Sequence, residues 1–293
     1  MTTKTPLTNR YEFVLFYDVE NGNPNGDPDA GNMPRIDPET GYGIVTAVCI
    51  KRKIRNYVDI LKANESGYQI YVTEGIALNN QHLRAYTETD TPLPKQAKNV
   101  PAKDLLKVRQ WMCDNFYDVR TFGAVISTGV NCGQVRGPVH LNFSRSLDPI
   151  MQQEVTITRV AVTRPEDEKT TEMGRKHIVP YGLYRVEGYI SPALANQEGK
   201  GTGFSEEDLE VFWQALENMF ELDHSASRGK MASRKLFIFK HDSELGNAPS
   251  HKLFDLITHE LAEDKVVPRQ FSDYKIYVDR DNLPDGVMLI ERF

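Results

Sequence analysis

Apolar residues follow strand-like and helix-like spacings that divide the chain into a series of short elements. Residues 10–19 are dense in aromatic and β-branched types and predict a strand. In residues 45–61 the apolar positions recur at helical spacing, which predicts a helix with one buried stripe. A second helix is expected to begin after Ser205, because Asp208 stands where it completes a capping box. Further strands are predicted at residues 135–143, 155–163, 178–190 and 234–239.

The core order is therefore strand, helix, strand, strand, helix, strand, which predicts an α+β fold of the modified RRM or ferredoxin-like type. Two unrelated α+β domains are the alternative. Residues 62–117 interrupt this order with short strand-like pieces and a helix at 102–116, so we expect them to form an insertion. Residues 164–176 are almost wholly polar and lie between strands, which predicts a protruding hairpin or loop.

The composition is that of an ordinary globular protein. Of the 293 residues, 40% are hydrophobic and 26% are charged, which excludes a disordered or low-complexity chain. No apolar run approaches the ~20 residues of a membrane span, and the N-terminus lacks a secretory signal. The three cysteines are widely spaced and include no CxxC pair, which favours a reducing compartment over a disulfide framework or a zinc site. We therefore expect a cytoplasmic protein without metal, other cofactor or membrane contact.

The formal net charge of −6 taken alone argues against nucleic-acid binding. One part of the first predicted helix departs from this balance, because Lys51, Arg52, Lys53 and Arg55 fall within five residues and have only Asp59 as a nearby acid. Helical spacing places Lys51, Arg52 and Arg55 on an arc beside the apolar stripe. This cluster favours contact with nucleic-acid phosphates, and a merely solvated helix face is the alternative.

Two loops are candidates for contact with a phosphate backbone. Residues 21–32 (NGNPNGDPDAGN) are spaced like a calcium loop, but Asn32 stands where the bidentate glutamate belongs, so we expect a rigid loop that meets a ligand through its N–H groups. Residues 224–231 (HSASRGKM) nearly match a nucleotide-binding loop. His224 and Met231 depart from that motif, which leaves a loop whose cations could hold a phosphate or a solvated connection.

The segment that begins at Arg136 partly fits the RNP1 motif of RRM proteins. Pro138 and His140 occupy the positions of the stacking aromatic residues. The strand could therefore belong to an RRM-type fold without reading bases on the usual stacking platform.

Several segments resemble, in order, the backbone subunit of the type I-C CRISPR surveillance complex, an RNA-binding member of the RAMP superfamily. The resemblance runs from about Tyr11 to Ile257. The segments are DVENGNPNGDPD, VCIKRKIRNYV, DVRTFGAVIS, GPVHLNFSRSLDPI, HIVPYGLY and FKHDSELGNAPSHKLFDLI. The resemblance implies one RAMP-type domain with a palm, an inserted fingers region and a thumb hairpin. The palm would comprise residues 10–61, 118–163 and 177–293, the fingers 62–117 and the thumb 164–176.

In such subunits, copies polymerise along one CRISPR guide RNA and hold its backbone, so that any guide sequence fits. The implied partners are the guide RNA, the target DNA that pairs with it, other copies of the chain, and the large, small and guide-processing RAMP subunits of the complex. Together with the motifs above, the resemblance implies these RNA-binding residues: Asn21, Asn25, Arg35, Lys51, Arg52, Arg55, Arg136, Ser227, Arg228, Gly229 and Lys230. Met173 would be the wedge of the thumb that displaces a nucleotide.

The type I-C resemblance implies a non-catalytic scaffold, and two enzymatic alternatives remain. Related backbone subunits of type III complexes cleave RNA with an aspartate in the loop after the first strand, where this chain has Asp27, Asp29 and Asp37. A metal-dependent endoribonuclease is therefore the first alternative. A small-molecule α+β enzyme is the second, and it would require a closed pocket with converging titratable groups.

Overall fold

The computed structural model describes residues 4–94, 100–166, 171–263 and 265–293. The strands are β1 (Tyr11–Gly22), β2 (Gly26–Asp27), β3 (Met33–Pro34), β4 (Tyr42–Val45), β5 (Gly123–Ile126), β6 (Gly133–Arg136), β7 (Val139–Leu141), β8 (Ser144–Pro149), β9 (Gln153–Arg159), β10 (Glu172–Ile190), β11 (Lys230–His241), β12 (Ile257–Leu261), β13 (Tyr274–Val278) and β14 (Val287–Glu291). The helices are α1 (Ala47–Leu61), α2 (Leu78–Glu88), α3 (Ala102–Asn115), α4 (Tyr117–Phe122), α5 (Pro192–Asn196), α6 (Glu206–Asn218) and α7 (Ser250–Asp255).

An antiparallel sheet forms the centre of the α+β fold, and the predicted order of core elements is confirmed. Strand β1 lies between β10 and β11, with Tyr11 opposite both Ile190 and Lys240. Strand β7 pairs with the end of β10. Helix α1 therefore connects β1 toward β7, and α6 connects β10 to β11, as in a split βαβ arrangement.

Strand β1 is buried on both faces, which explains its nearly continuous apolar sequence. Phe13, Leu15 and Tyr17 belong to the core beneath α1 and α6, whereas Val14 and Phe16 belong to a core on the opposite face. Alternation of side chains along a strand produces this division. The sheet is consequently covered on both sides.

Helix α1 has the predicted buried stripe, and α6 has the predicted cap at Ser205. The Thr46 hydroxyl accepts a hydrogen bond from the backbone of Cys49 at the start of α1, and Ile50 and Ile54 are fully buried. Ser205 and Asp208 form the complete capping box of α6. The predicted apolar face of α6 packs in the same core through Leu209, Phe212, Trp213 and Leu216.

The second face of the sheet is covered by residues 250–278, which the sequence pattern did not predict as structured. Leu253 and Phe254 of α7, Ile257 of β12 and Tyr274 of β13 pack in one core with Phe16. As far as the structure describes it, this face therefore presents no open aromatic platform on which bases could stack.

The predicted insertion is a packed unit with its own core, but its elements differ from the expectation. The strand-like residues 68–75 form no strand, and α2 follows them where no helix was predicted. The core of α2 and α3 extends through α4 to Val135, beyond the predicted limit at residue 117. Residues 95–99 of the predicted fingers lie outside the described residues.

The single strand predicted at 135–143 is wrong, because the chain forms two strands there. Strand β6 pairs with β5, whereas β7 pairs with β10. The break falls at Gly137 and Pro138, and a side chain at Gly137 would overlap the backbone at Gly123. Proline also lacks the N–H that a continuous strand would use.

The predicted protrusion is a hairpin with earlier and longer arms than expected. Strand β9 pairs with the first part of β10, from Arg159 opposite Glu172 to Gln153 opposite Ile178. The hairpin therefore begins at residue 153, ahead of the predicted start at 164. Residues 167–170 near its tip lie outside the described residues.

Candidate nucleic-acid interface

A cleft of about 610 Å³ opens where three segments of the chain meet. Its walls come from the loop after β1, the base of the β9–β10 hairpin and the loop of residues 224–230. Asn23 and Met33 line it from the first segment, Arg175 and Lys176 from the second, and Ser227 from the third. We call this region the loop cleft.

Close backbone contact joins the loop after β1 to residues 224–230. The Asn23 backbone N–H donates to the Ser227 carbonyl at 2.8 Å. Gly229 has a φ of +63°, and a Cβ there would lie 2.5 Å from the Asn21 carbonyl oxygen. A Cβ at Gly22 would overlap the Arg228 carbonyl oxygen. Glycine is thus required at both positions for the two loops to meet.

The loop after β1 is held in shape by its own side chains. The Asn25 Oδ1 accepts hydrogen bonds from the backbone N–H and the hydroxyl of Thr46, both at 2.9 Å, which fixes the loop to the start of α1. The Asn23 Nδ2 donates to the Asn32 carbonyl at 2.7 Å. Arg35 pairs with Asp27 at 3.3 Å. Asn25 therefore shapes the loop, and its contact with RNA stays a prediction.

Arg228, which follows the cleft residue Ser227, is held by an ion-pair network. Its Nε lies 3.4 Å from the Asp223 carboxylate, which also pairs with the buried Lys53 of α1. Burial lowers the pKa of Lys53, and the Asp223 carboxylate opposes that shift. Lys53, predicted as part of the basic cluster, is thus an internal anchor.

The hairpin base contributes the most exposed cation of the cleft. Arg175 is 72% exposed and pairs with Glu154 at 3.3 Å, while the Lys176 ammonium donates to the Ala226 carbonyl. Side chains alternate between the two faces of a strand. Met173 and Arg175 are two residues apart on β10, so they lie on the same face of the hairpin. Met173 is 79% exposed, and its role as a wedge stays a prediction.

The loop of residues 224–230, whose Ser227 lines the loop cleft, also contains Gly229 and ends at Lys230. The Ser227 side chain is exposed, and Lys230 is 69% exposed beside Glu20 at 3.2 Å. The Asn21 backbone has a φ of +52°, and this left-handed conformation turns the chain from β1 into the loop that follows it. The structure thus brings Asn21 close to the loop that holds Ser227, Arg228, Gly229 and Lys230, and RNA contact by these residues stays a prediction.

The other predicted cations of α1 lie on a different flank of the helix. Arg55 pairs with the buried Asp118 at 2.7 Å, and Arg52 donates to the Val72 carbonyl at 2.8 Å. At about 100° per residue, Lys51 and Arg55 lie about 160° from Lys53 around the helix. The structure therefore does not bring these cations together with the loop cleft, and RNA contact by Arg52 and Arg55 stays a prediction.

Lys51 and Arg136 form a second positive region with His140. Burial lowers the pKa of His140, and the charges of Lys51 and Arg136 lower it further. The Lys51 ammonium lies 5.0 Å from the centre of the Phe122 ring, while Arg136 is exposed. We call this region the α1 flank, and it remains a candidate for a separate phosphate contact.

The aspartates of the endoribonuclease alternative are dispersed. Asp27 pairs with Arg35, Asp37 lies 3.2 Å from Arg145, and Asp29 is exposed. Backbone and Arg145 hydrogen bonds lower the pKa of Asp37. In the described ranges, no group of three His, Cys, Asp or Glu side chains is placed to hold a metal ion.

For the small-molecule alternative, one cleft lies near the covered second face of the sheet. It measures about 1110 Å³, and Arg185 at its wall donates to the Phe254 and Ile257 carbonyls.

None of the described helices has the length and apolar character that a bilayer crossing requires.

Sequence reasoning missed the participation of Asn23, Arg175 and Lys176 in the loop cleft. Arg175 and Lys176 fell within a segment read only as polar, and about 50 residues separate Lys176 from its partner Ala226. A basic pair directly before the apolar run of β10 is the signal that marks the hairpin base.

Comparison with known proteins places the chain in a family. The family model described as CRISPR-associated protein Cas7 matches residues 9–279. A CRISPR-associated protein Cas7 from Haloferax volcanii is 29% identical over 289 residues, covering 87% of this chain and 76% of that protein. A chain of a CRISPR RNA-guided surveillance complex, pre-nicking, shares 13% identity with a TM-score of 0.48 and covers 78% of both chains. Another CRISPR RNA-guided surveillance complex chain shares 13% identity with a TM-score of 0.44 and covers 78% of this chain and 68% of that one. The family match extends over most of the sequence, and the chain therefore belongs to the Cas7 family of CRISPR-associated proteins.

Proposed function

We propose that this chain is a non-catalytic backbone subunit of a type I-C CRISPR interference complex that binds guide RNA without reading its sequence. Copies of the chain line up along the guide and leave its bases free to pair with target DNA. The large, small and guide-processing subunits of the complex are its further partners.

The observation that supports this proposal most strongly is the loop cleft. Arg175 and Lys176 of the hairpin base line it opposite the two loops, and close backbone contact joins those loops. Cationic side chains and backbone N–H groups recognise phosphate oxygens, which every nucleotide carries. Such a surface suits a ligand of variable sequence.

The hairpin supplies the proposed contact between copies. Met173 projects from an exposed strand pair, and its flexible thioether can fill the gap left by a displaced base. Each hairpin would then interrupt the base-paired region at a regular interval along the guide.

Binding to single-stranded RNA tests the proposal. We expect Arg175→Ala and Lys230→Ala each to weaken binding and to lower the log–log salt slope by about 0.7, since each removes one phosphate contact. Lys252→Ala is the matched control, because Lys252 is an exposed lysine on α7, on the other face of the sheet. Equal slopes for all four proteins would contradict this assignment of the cleft.

The non-catalytic role is tested with the same RNA. We expect bound RNA to remain intact in the presence of Mg²⁺. Cleavage at regular intervals that is lost in Asp27→Ala or Asp29→Ala would instead support the endoribonuclease.

A further inference from the structure

The lining of the loop cleft contains an acid as well as cations. Glu154 of β9 lines the cleft together with Arg175 and Lys176 of β10. Like charges repel each other, so a carboxylate in this lining opposes the binding of a phosphate group. The position of Glu154 therefore bears on which anions the cleft accepts.

The Glu154 carboxylate is shared between two side chains of the neighbouring strand. Glu154 lies directly opposite His177 in the β9–β10 pair, and Arg175 lies two residues before His177 on the same face of the hairpin. One carboxylate oxygen is 3.3 Å from the Arg175 Nη1, and the other is 3.9 Å from the His177 Nδ1. The carboxylate thus takes the place beside Arg175 that a phosphate oxygen would take.

A second exposed acid lies beside a cation at the end of the loop of residues 224–230. Glu20 lies opposite Lys230 in the β1–β11 pair, and its carboxylate is 3.2 Å from the Lys230 Nζ. Glu20 also lies opposite Tyr181 of β10, which follows Arg175 by six residues. Because six strand residues span about 20 Å, the two ion pairs are separated by up to about that distance along β10.

These two ion pairs differ from the pair that holds Arg228. The Asp223 carboxylate is 18% exposed and also contacts the buried Lys53, so it belongs to a partly buried network. The carboxylates of Glu20 and Glu154 are 44% and 45% exposed, and their cations are more exposed still. Exposed ion pairs contribute little to stability, since solvent and salt screen them. Another anion can therefore replace Glu20 or Glu154 beside its cation without loss of the fold.

We propose that Glu20 and Glu154 are guard residues, whose carboxylates hold Lys230 and Arg175 until phosphate groups of RNA replace them. Because this exchange requires RNA in the loop cleft, the proposal rests on the proposed function. A short anion replaces at most one carboxylate and stays close to its negative charge. A longer strand replaces both, and the second exchange is favoured because it is intramolecular.

The separation of the two pairs sets the length of RNA that the guard residues select. Phosphates recur about every 3.4 Å along a stacked strand, so about six nucleotides reach from one pair to the other. The two acids thus favour a continuous single strand over nucleotides and short fragments.

The sign of the change in RNA affinity tests the guard residues. The full chain is titrated with a single-stranded RNA long enough to reach both pairs. We expect Glu154→Gln and Glu20→Gln each to raise the affinity about fivefold and to steepen the log–log salt slope by about 0.7, since each removes a negative charge beside a phosphate. The gain should disappear at high salt. Glu65→Gln is the matched control, because Glu65 is an exposed acid that pairs with Lys62 just after α1.

A trinucleotide, which is too short to reach both pairs, tests the selection by length. We expect the double variant Glu20→Gln with Glu154→Gln to bind the trinucleotide about fivefold more tightly than the unaltered chain does. The same variant should bind the longer RNA about 25-fold more tightly, because the effects of two distant sites multiply.

The outcomes separate the guard residues from the proposed function. A lower affinity in Glu154→Gln would show that the carboxylate positions Arg175 for RNA, and unchanged affinity in both single variants would show ordinary surface ion pairs. Either result overturns the guard residues, while RNA binding by the unaltered chain still supports the proposed function. If Glu154→Gln fails to fold, Glu20→Gln decides. If none of the proteins binds RNA, the proposed function is refuted and the exchange with it.

Discussion

Asp208 shows how single residues hold the helix layer to the insertion. Its carboxylate is completely buried and pairs with the buried Arg120 of α4 at 2.7 Å. Burial by itself raises the pKa of Asp208, but the hydrogen bonds and charges of Arg120 and Lys4 outweigh it and hold the pKa below its ordinary range. The pair therefore contributes stability above pH ~4, which is lost as acid protonates the carboxylate.

Replacement of Arg120 tests this pair. We expect Arg120→Met to lower the free energy of unfolding at pH 7 by about 3–5 kcal/mol, because it leaves a buried carboxylate without its main partner. Without Arg120, burial dominates and raises the pKa of Asp208. Urea unfolding of the unaltered protein and of Arg120→Met should therefore show a smaller loss of unfolding free energy at pH 5 than at pH 7.

An exposed ion pair is the control for this substitution. Arg280 pairs with Glu291 at 3.2 Å and is 57% exposed, so Arg280→Met should change stability by less than about 1 kcal/mol. An equal effect at both sites would contradict the importance of burial.

Gly229 is the residue whose backbone conformation tests the proposed RNA cleft. We expect Gly229→Ala to reduce stability by about 1–3 kcal/mol and to weaken RNA binding, because its Cβ would push the two cleft loops apart. Gly199→Ala is the matched control: its φ is +67°, but nothing lies within 4 Å of the added Cβ. Thermal melts and RNA titrations of both variants compare the two sites, and equal effects on RNA binding would argue against the packed-loop cleft.

Residues that interact within one turn were predictable, whereas distant partners were not. The capping box of Ser205 and Asp208 joins positions three apart, so the sequence pattern reveals it. Arg55 and Asp118 are 63 positions apart, and no local pattern shows that this cation has a buried partner. The sequence pattern of the α1 cations therefore indicates a basic cluster but does not show the contacts that Arg52 and Arg55 make within the protein.

At the scale of elements, α1 connects the two halves of the candidate surface. One flank reaches Asp223 through Lys53, and the other reaches the insertion through Arg52 and Arg55. The helix thus positions both the loop cleft and the α1 flank.

Two substitutions distinguish structural from RNA-binding cations of α1. We expect Arg55→Met to lower stability by about 3 kcal/mol, because Asp118 would remain buried without its cation. We expect Lys51→Met to preserve stability and to lower the salt slope for RNA by about 0.7 if the α1 flank contacts phosphate. An unchanged slope for Lys51→Met would remove the α1 flank from the proposed RNA path.

Substitution of Met173 tests its proposed role as a wedge without a change in the stability of the fold. Met173 is exposed, so Met173→Ala should change stability by less than about 0.5 kcal/mol. We expect it to reduce the fluorescence of base analogues placed at the proposed displaced positions of assembled RNA. Met288→Ala, at a methionine 57% exposed on β14, is the control, and identical fluorescence in both variants would refute the wedge.

Element boundaries were predictable where a local pattern determines them. The start of α6 follows from its capping box, and the apolar spacing of residues 45–61 identifies α1 to within two residues. The pairing partners of β6 and β7 do not, because two short strands in succession show one continuous pattern in sequence although they join different sheets. Coverage of the second face by α7, β12 and β13 likewise depends on contacts between distant segments.

At the scale of the whole molecule, charge is distributed unevenly. The chain carries a formal charge of −6, while Arg175 and Lys176 line the loop cleft and Arg228 follows the cleft residue Ser227. If the cleft binds RNA as proposed, acidic residues elsewhere would limit binding to other polyanions. Net charge alone therefore does not reveal a local cluster of cations.

Photo-crosslinking of the full chain to guide-length RNA, with mass-spectrometric mapping of the linked peptides, tests the central claim most directly. We expect crosslinks in residues 21–35, 172–178 and 224–230, with the same pattern for two RNAs of unrelated sequence. Crosslinks confined to the groove of Arg185 and His259 on the other face of the sheet, or a pattern that changes with RNA sequence, would contradict the account.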